Sequence, residues 1–194
     1  MPDGPFFAHA QLETLLDELG VGRAALVGLS AGAGVAVDFA LEHPGRVTRL
    51  VLASPSVAGY VPRGMPPGLA PVFEAARKGD PAKAAALWAE TDLMRVPDVD
   101  EAAVRQMVMD NAGLWALSAN PQRQISPPAW SRVEAIRAAT LVVHGGRDTE
   151  DVRAIAAGLA ERIPGAEGLA IPDAGHLVSF HPAFAAAVRG FLER

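Results

Sequence analysis

Residues 24–43 read AALVGLSAGAGVAVDFALEH, and the rest of the chain takes its meaning from this stretch. Ala24 to Val27 is a short apolar run of the kind that forms a strand buried on both faces. Gly28-Leu29-Ser30-Ala31-Gly32 breaks it at once, and Val35, Ala36, Phe39 and Ala40 then recur at helical spacing. A strand that turns this sharply into a helix lifts Ser30 to the carboxyl end of a sheet, where helix amides point toward an incoming anion. Gly28 and Gly32 are read as the elbow glycines that keep side-chain bulk away from a strained bend.

Working outward, Leu12, Leu15, Leu16 and Leu19 give a helix from about His9 to Leu19, stopped by Gly20. Beyond Pro44-Gly45, Arg49 to Ala53 is a second apolar strand, so strand, helix and strand form a βαβ unit with parallel pairing. The rhythm then changes. Between Val57 and about Arg132 no comparable strand appears. Helices are expected over Leu69–Lys78, over Ala82–Glu90 behind the Asp80-Pro81 start, and from Asp98, with Glu101 three residues on, to about Asn111. Four of the five methionines and all three tryptophans fall in this stretch, side chains able to wall an apolar pocket. The strand pattern resumes at Thr140–His144 and again at Gly168–Ile171, with helices over Val152–Arg162 and Pro182–Leu192. The expected architecture is α/β: a core from residues 1–56 and 133–194 with about four parallel strands and flanking helices, and a helical cap insertion at 57–132.

Three candidate groups, Ser30, Asp148 and His176, each follow a predicted parallel strand. Strand carboxyl ends share one crevice in such a sheet, so residues distant in sequence can converge there. Serine, then acid, then histidine is also the order of a nucleophile elbow with its partners. Serine attacks well only when a neutral imidazole takes its proton, and the acid orients that imidazole. The backbone N–H of Ala31 can meet charge developing on a substrate oxygen. Each role has a bland rival. Asp148 could simply cap the following helix, Glu150 and Asp151 are nearby substitutes, and His176 could be an exposed loop residue. His9, on a surface helix, and His43, His144 and His181 have weaker settings. Candidate pocket residues are Leu29, Met107, Trp115 and Trp130.

Composition narrows the alternatives. The 194 residues carry a net charge of -5, and no basic cluster with interleaved aromatics suggests nucleic acid. No apolar stretch approaches the roughly 20 residues of a membrane span. With no cysteine, thiolate chemistry and Cys-type metal sites are excluded. Histidines lack zinc-protease spacing, and Gly28, Gly32 and Gly34 are wrongly spaced for a dinucleotide turn, so neither metal nor cofactor is expected. Met1-Pro2-Asp3-Gly4 is unlike a basic head with an apolar core, which makes a soluble cytoplasmic protein the default.

The motif around Ser30, the strand Arg49 to Pro55, Thr140 through Asp148, and Gly175-His176 together resemble the α/β-hydrolase superfamily, in its branch with a helical cap. Pro127-Pro128 and Val133 to Ile136 are similar to that branch's return from the cap. The resemblance implies Ser30 as nucleophile, Asp148 as acid and His176 as base, acting on a small ester, amide or lactone without a cofactor. The acid is not expected after the preceding strand, where Ser54 and Ser56 stand. Family members usually carry several strands before the elbow, and a His-Gly loop that supplies a second oxyanion N–H. Nothing in residues 1–23 resembles that loop, so the chain looks like the C-terminal part of the fold. A missing oxyanion donor would cost on the order of 3 kcal/mol of transition-state stabilisation. The resemblance also leaves the elbow strand as an open edge, which implies cover by self-association or by a complementing N-terminal segment. The rival expectation is a non-catalytic or partner-dependent binding protein that keeps the hydrolase core.

Overall fold

The computed structural model describes residues 4–96, 99–116 and 122–194. Helix α1 (Ala8–Glu18), strand β1 (Ala24–Leu29), helix α2 (Ala31–Glu42) and strand β2 (Val47–Ala53) come first. Helices α3 (Leu69–Arg77), α4 (Pro81–Ala89) and α5 (Glu101–Asp110) form the inserted cap, and a 3-10 helix over Ala129–Ala135 leads back. Strand β3 (Ala139–Gly145), helix α6 (Glu150–Arg162), strand β4 (Glu167–Ile171) and helix α7 (Pro182–Leu192) complete the order.

The sheet has four parallel strands in the order β1-β2-β3-β4. Successive residues point to opposite faces, so each strand feeds two cores. Leu26, Leu50, Leu52 and Val142 face the layer of α1, α2 and α6, where Phe39, Ile155 and Leu159 lie buried. Val51, Ala53, Leu141 and Val143 face α7, with Phe184 and Phe191 beneath them. Leu50, Val51 and Leu52 are all fully buried, which is why β2 reads as an unbroken apolar run. β1 is different: it pairs only with β2 among the described residues, and Val27 is 51% exposed on the α7 side.

Most departures from the sequence reading lie at element ends. β2 begins at Val47 because its backbone already pairs with Ala24, and ladder pairing does not require an apolar side chain. The Asp80 cap forms, its carboxylate accepting from Lys83 N at 2.9 Å. For α5 the cap is Asp100, which accepts from Ala102 N at 2.9 Å. The expected cap Asp98 lies outside the described residues, as do Met1, Pro2 and Asp3 of the leader. His9 is not a free surface residue. Its ring is half-buried against α2, with Nδ1 3.2 Å from His43 Nε2, while His43 Nδ1 lies 3.0 Å from Glu13. Burial, then His43, lowers the His9 pKa. Among the described residues no helix is long and apolar enough to cross a membrane.

Candidate active site

The site begins at the bend between β1 and α2. Ser30 adopts φ 53°, ψ -115°, a left-handed conformation that a side-chain-bearing residue holds only when its surroundings impose it. They do so here by hydrogen bonding. Ser30 N donates to Ala53 O at 2.9 Å, and Ser30 O accepts from Ala33 N (3.0 Å), Ser56 N (3.3 Å) and Ser56 Oγ (3.2 Å). Gly28 is sterically required, since a Cβ there would stand 2.5 Å from Gly32 O. Gly32 is not: a Cβ on it meets nothing within 4 Å, which corrects the expectation that both elbow glycines exclude bulk. Ala31 is the first residue of α2, where a helix leaves amides without intrahelical acceptors.

Asp148 and His176 arrive on the loops after β3 and β4. The two loops are pressed together, with Gly146 N donating to Ile171 O at 2.8 Å and Arg147 N to Ala174 O at 3.0 Å. A Cβ on Gly145 would collide with Gly175 O, so a glycine is needed for the acid's loop to lie against the histidine's. The result is a continuous relay. His176 Nε2 stands 3.0 Å from Ser30 Oγ, and His176 Nδ1 stands 3.1 and 3.0 Å from the Asp148 carboxylate oxygens. The Asp148 side chain has no exposure and also accepts from Thr149 N at 2.7 Å. An ionised carboxylate only accepts, so Nδ1 carries the ring proton and Nε2 is left to accept from the serine hydroxyl.

The rival placements go elsewhere. Thr149, not Asp148, caps α6 by accepting from Val152 N at 3.3 Å. Asp151 accepts from Tyr60 Oη at 3.1 Å and from Arg63 N, and Glu150 pairs with Arg63. His181 lies against Asp173, and no group of three or more His, Asp or Glu is placed to hold a metal ion among the described residues. Ser54, where β2 ends, is fully buried at φ 40°, and its hydroxyl has no hydrogen-bond partner among the described residues.

Ala31 opens onto a cavity of about 880 Å³ between sheet and cap, walled by Met65, Phe73, Trp88, Met107, Leu114 and Trp115. Trp115 stacks its edge on Phe73 (centroids 6.1 Å) and lies 5.5 Å from Trp88. Two of the four expected pocket residues, Met107 and Trp115, therefore line it. Trp130 does not, because its ring is used in the core scaffold: it sits against Gly158, edge-on to Tyr60 at 5.3 Å and 4.7 Å beneath the Arg162 guanidinium. Leu29 is absent from the wall as well, packing toward Leu177 and the α7 side. Arg77 and Asn111 are polar members of the wall that nothing in the sequence pattern singled out.

A second cavity, about 260 Å³, shares the lining residue Ala31 with the first and is also lined by Asp38 on α2. Asp38 is only 7% exposed, and its carboxyl is pushed up to about 6, first by burial and then by the neighbouring Glu42, against the pull of Arg132. Nothing in the sequence pattern singled it out.

Residues 2–188 match the family model described as "Alpha/beta hydrolase family". A solved hydrolase from Pseudomonas aeruginosa superposes with TM-score 0.76 at 28% identity, over 100% of this chain and 75% of that one. A thermophilic esterase from Thermogutta terrifontis gives TM-score 0.76 at 25% identity, over 100% and 74%. Among curated proteins, a 2-hydroxy-6-oxononadienedioate/2-hydroxy-6-oxononatrienedioate hydrolase from Burkholderia vietnamiensis is 52% identical over 48 residues, 25% of this chain; the match spans 17% of that protein's length.

Proposed function

The chain belongs to the alpha/beta hydrolase family; from that premise we propose that it is a serine enzyme that cleaves a small ester, amide or lactone through an acyl-enzyme. The carrying observation is the unbroken relay from Ser30 Oγ through His176 to buried Asp148. In the proposed reaction, Ser30 Oγ attacks the substrate carbonyl while His176 Nε2 takes its proton, and Asp148 holds the cation that forms. The carbonyl oxygen becomes an oxyanion beside the Ala31 N–H. Collapse breaks the bond to the leaving group, which takes the proton from His176. A water then gives its proton to His176, attacks the acyl-enzyme and releases the acid, and Ser30 regains its hydrogen.

The apolar wall of the larger cavity supports a substrate with a hydrophobic portion, and the esterase and oxo-acid hydrolase relatives support hydrolysis at an acyl carbon. The reading keeps a cytoplasmic setting. It also includes a partner-dependent form, favoured by a side of β1 that pairs with no strand among the described residues, in which a second copy or a complementing segment covers that edge. The test is fluorophosphonate labelling with peptide mapping. The expected adduct is on Ser30 and disappears in Ser30→Ala and His176→Ala; a folded protein that takes up no label refutes the serine-hydrolase reading.

A further inference from the structure

The smaller cavity holds a feature the acyl-transfer scheme does not use. Asp38 is nine-tenths buried and lines the cavity, yet no described residue donates a hydrogen bond to its carboxylate. The nearest cation, Arg132, is engaged with Glu42 at 2.8 Å. Buried carboxylates are normally paired, because desolvation without a counter-charge is costly. The charged groups acting on Asp38 are Glu42, one turn along its own helix, and Arg132 on the 3-10 helix packed against it. At neutral pH the carboxyl is predominantly ionised, with no donor to it among the described residues.

The cavity is built to bring one. Ala31 borders both cavities, so a molecule whose carbonyl lies at the Ala31 amide can extend in two directions. One direction is the apolar chamber. The other runs past Val35 on α2 to Asp38, seven residues and about 10 Å from Ala31. Apolar side chains at the near end suit a methylene chain. Gln124, in the same wall, brings an amide carbonyl that can share the donors of an ammonium with the carboxylate. Ser56 belongs to the same wall and holds the Ser30 carbonyl through its hydroxyl, so an occupant would touch the residue that fixes the elbow.

We propose that this cavity is a second substrate subsite, taking a protonated primary amine on a chain of about six atoms from the scissile carbonyl, with Asp38 as its counter-ion. The proposal rests on the serine-hydrolase reading and narrows its substrate class to esters or amides with a cationic arm.

The test compares 6-aminohexyl butanoate with heptyl butanoate, in which a methyl group replaces the ammonium. The readout is the ratio of their kcat/KM values in the wild type and in Asp38→Asn, which has nearly the same shape. The expected result is a fall in the amine-to-neutral ratio of about tenfold in the variant, the effect of losing one charge-assisted contact. An unchanged ratio overturns the subsite and leaves the serine-hydrolase reading intact. If neither ester is hydrolysed, fluorophosphonate labelling of Ser30 decides the serine-hydrolase reading, and NMR titration of Ser30→Ala with both esters decides the subsite separately. Tighter binding of the amine that is lost in Ser30→Ala/Asp38→Asn supports it; equal binding of the two esters, or a preference that survives the second substitution, overturns it.

Discussion

Asp38 shows how one residue can cost stability and still belong in its place. Its carboxyl is raised from 3.8 to about 6, so the folded state holds a proton that the unfolded chain gives up. The sign follows from linkage: the protonated form is favoured in the fold, and that contribution is complete below pH 3.8 and lost as the pH rises through about 6. Asp38→Asn removes an ionisation that the fold disfavours. Its expected effect in urea titrations is a gain of about 1–2 kcal/mol above pH 6, after discounting for water that reaches the cavity, with no gain below pH 4. A variant destabilised equally at both pH values would show that the carboxylate is instead holding the helix in place. The amine subsite explains why such a penalty would be kept.

At the scale of the element, the β1–α2 bend depends on a contact between two backbone segments of the same turn. Gly28 and Gly32 look equivalent in sequence, yet only Gly28 faces backbone at sub-contact distance, with Gly32 O 2.5 Å and Ala33 Cα 2.7 Å from a built Cβ. Neither neighbour can move without opening the turn. Gly28→Ala is expected to destabilise by about 3 kcal/mol or more and to abolish Ser30 labelling. Gly32→Ala, inside the first turn of α2, is expected to be neutral or slightly stabilising, since alanine is the better helix former. Thermal unfolding of the pair checks this, and equal losses would contradict the open space around Gly32. The same element explains the docking of α1: His43, at the end of α2, bridges Glu13 and His9.

Across the whole molecule, the sheet is covered unevenly. α7 lies over the faces of β2, β3 and β4 through Phe184 and Phe191, whereas Val27 on β1 is half exposed and the outer side of β1 pairs with no strand among the described residues. Such an edge is a template for another strand. The chain on its own is expected to self-associate at micromolar concentration in light scattering, and Val27→Lys is expected to shift it toward monomer by placing a charge beside the open edge. A monodisperse wild-type monomer would argue that the edge needs no cover. The inserted cap adds the second whole-molecule feature, since it supplies every aromatic residue of the larger cavity while the sheet supplies the relay.

The sequence by itself determined the βαβ order, the insertion between β2 and β3, and the placing of Ser30, an acid and His176 after successive parallel strands. Those follow from local signals: apolar runs of strand length, glycine and proline punctuation, and the rule that parallel strands share one carboxyl end. The preference for Asp148 over Glu150 and Asp151 needed coordinates, because three acids in four residues differ only in where their loop is pinned. Trp130 and Leu29 failed as pocket residues for a related reason. An aromatic or aliphatic side chain packs equally well in a wall or in a core, and its direction is settled by neighbours remote in sequence, here Gly158 and Arg162 for the one and Leu177 for the other. Asp38 was invisible until the fold closed around it. Burial and the absence of a donor are properties of the assembled surroundings, and no local pattern encodes them.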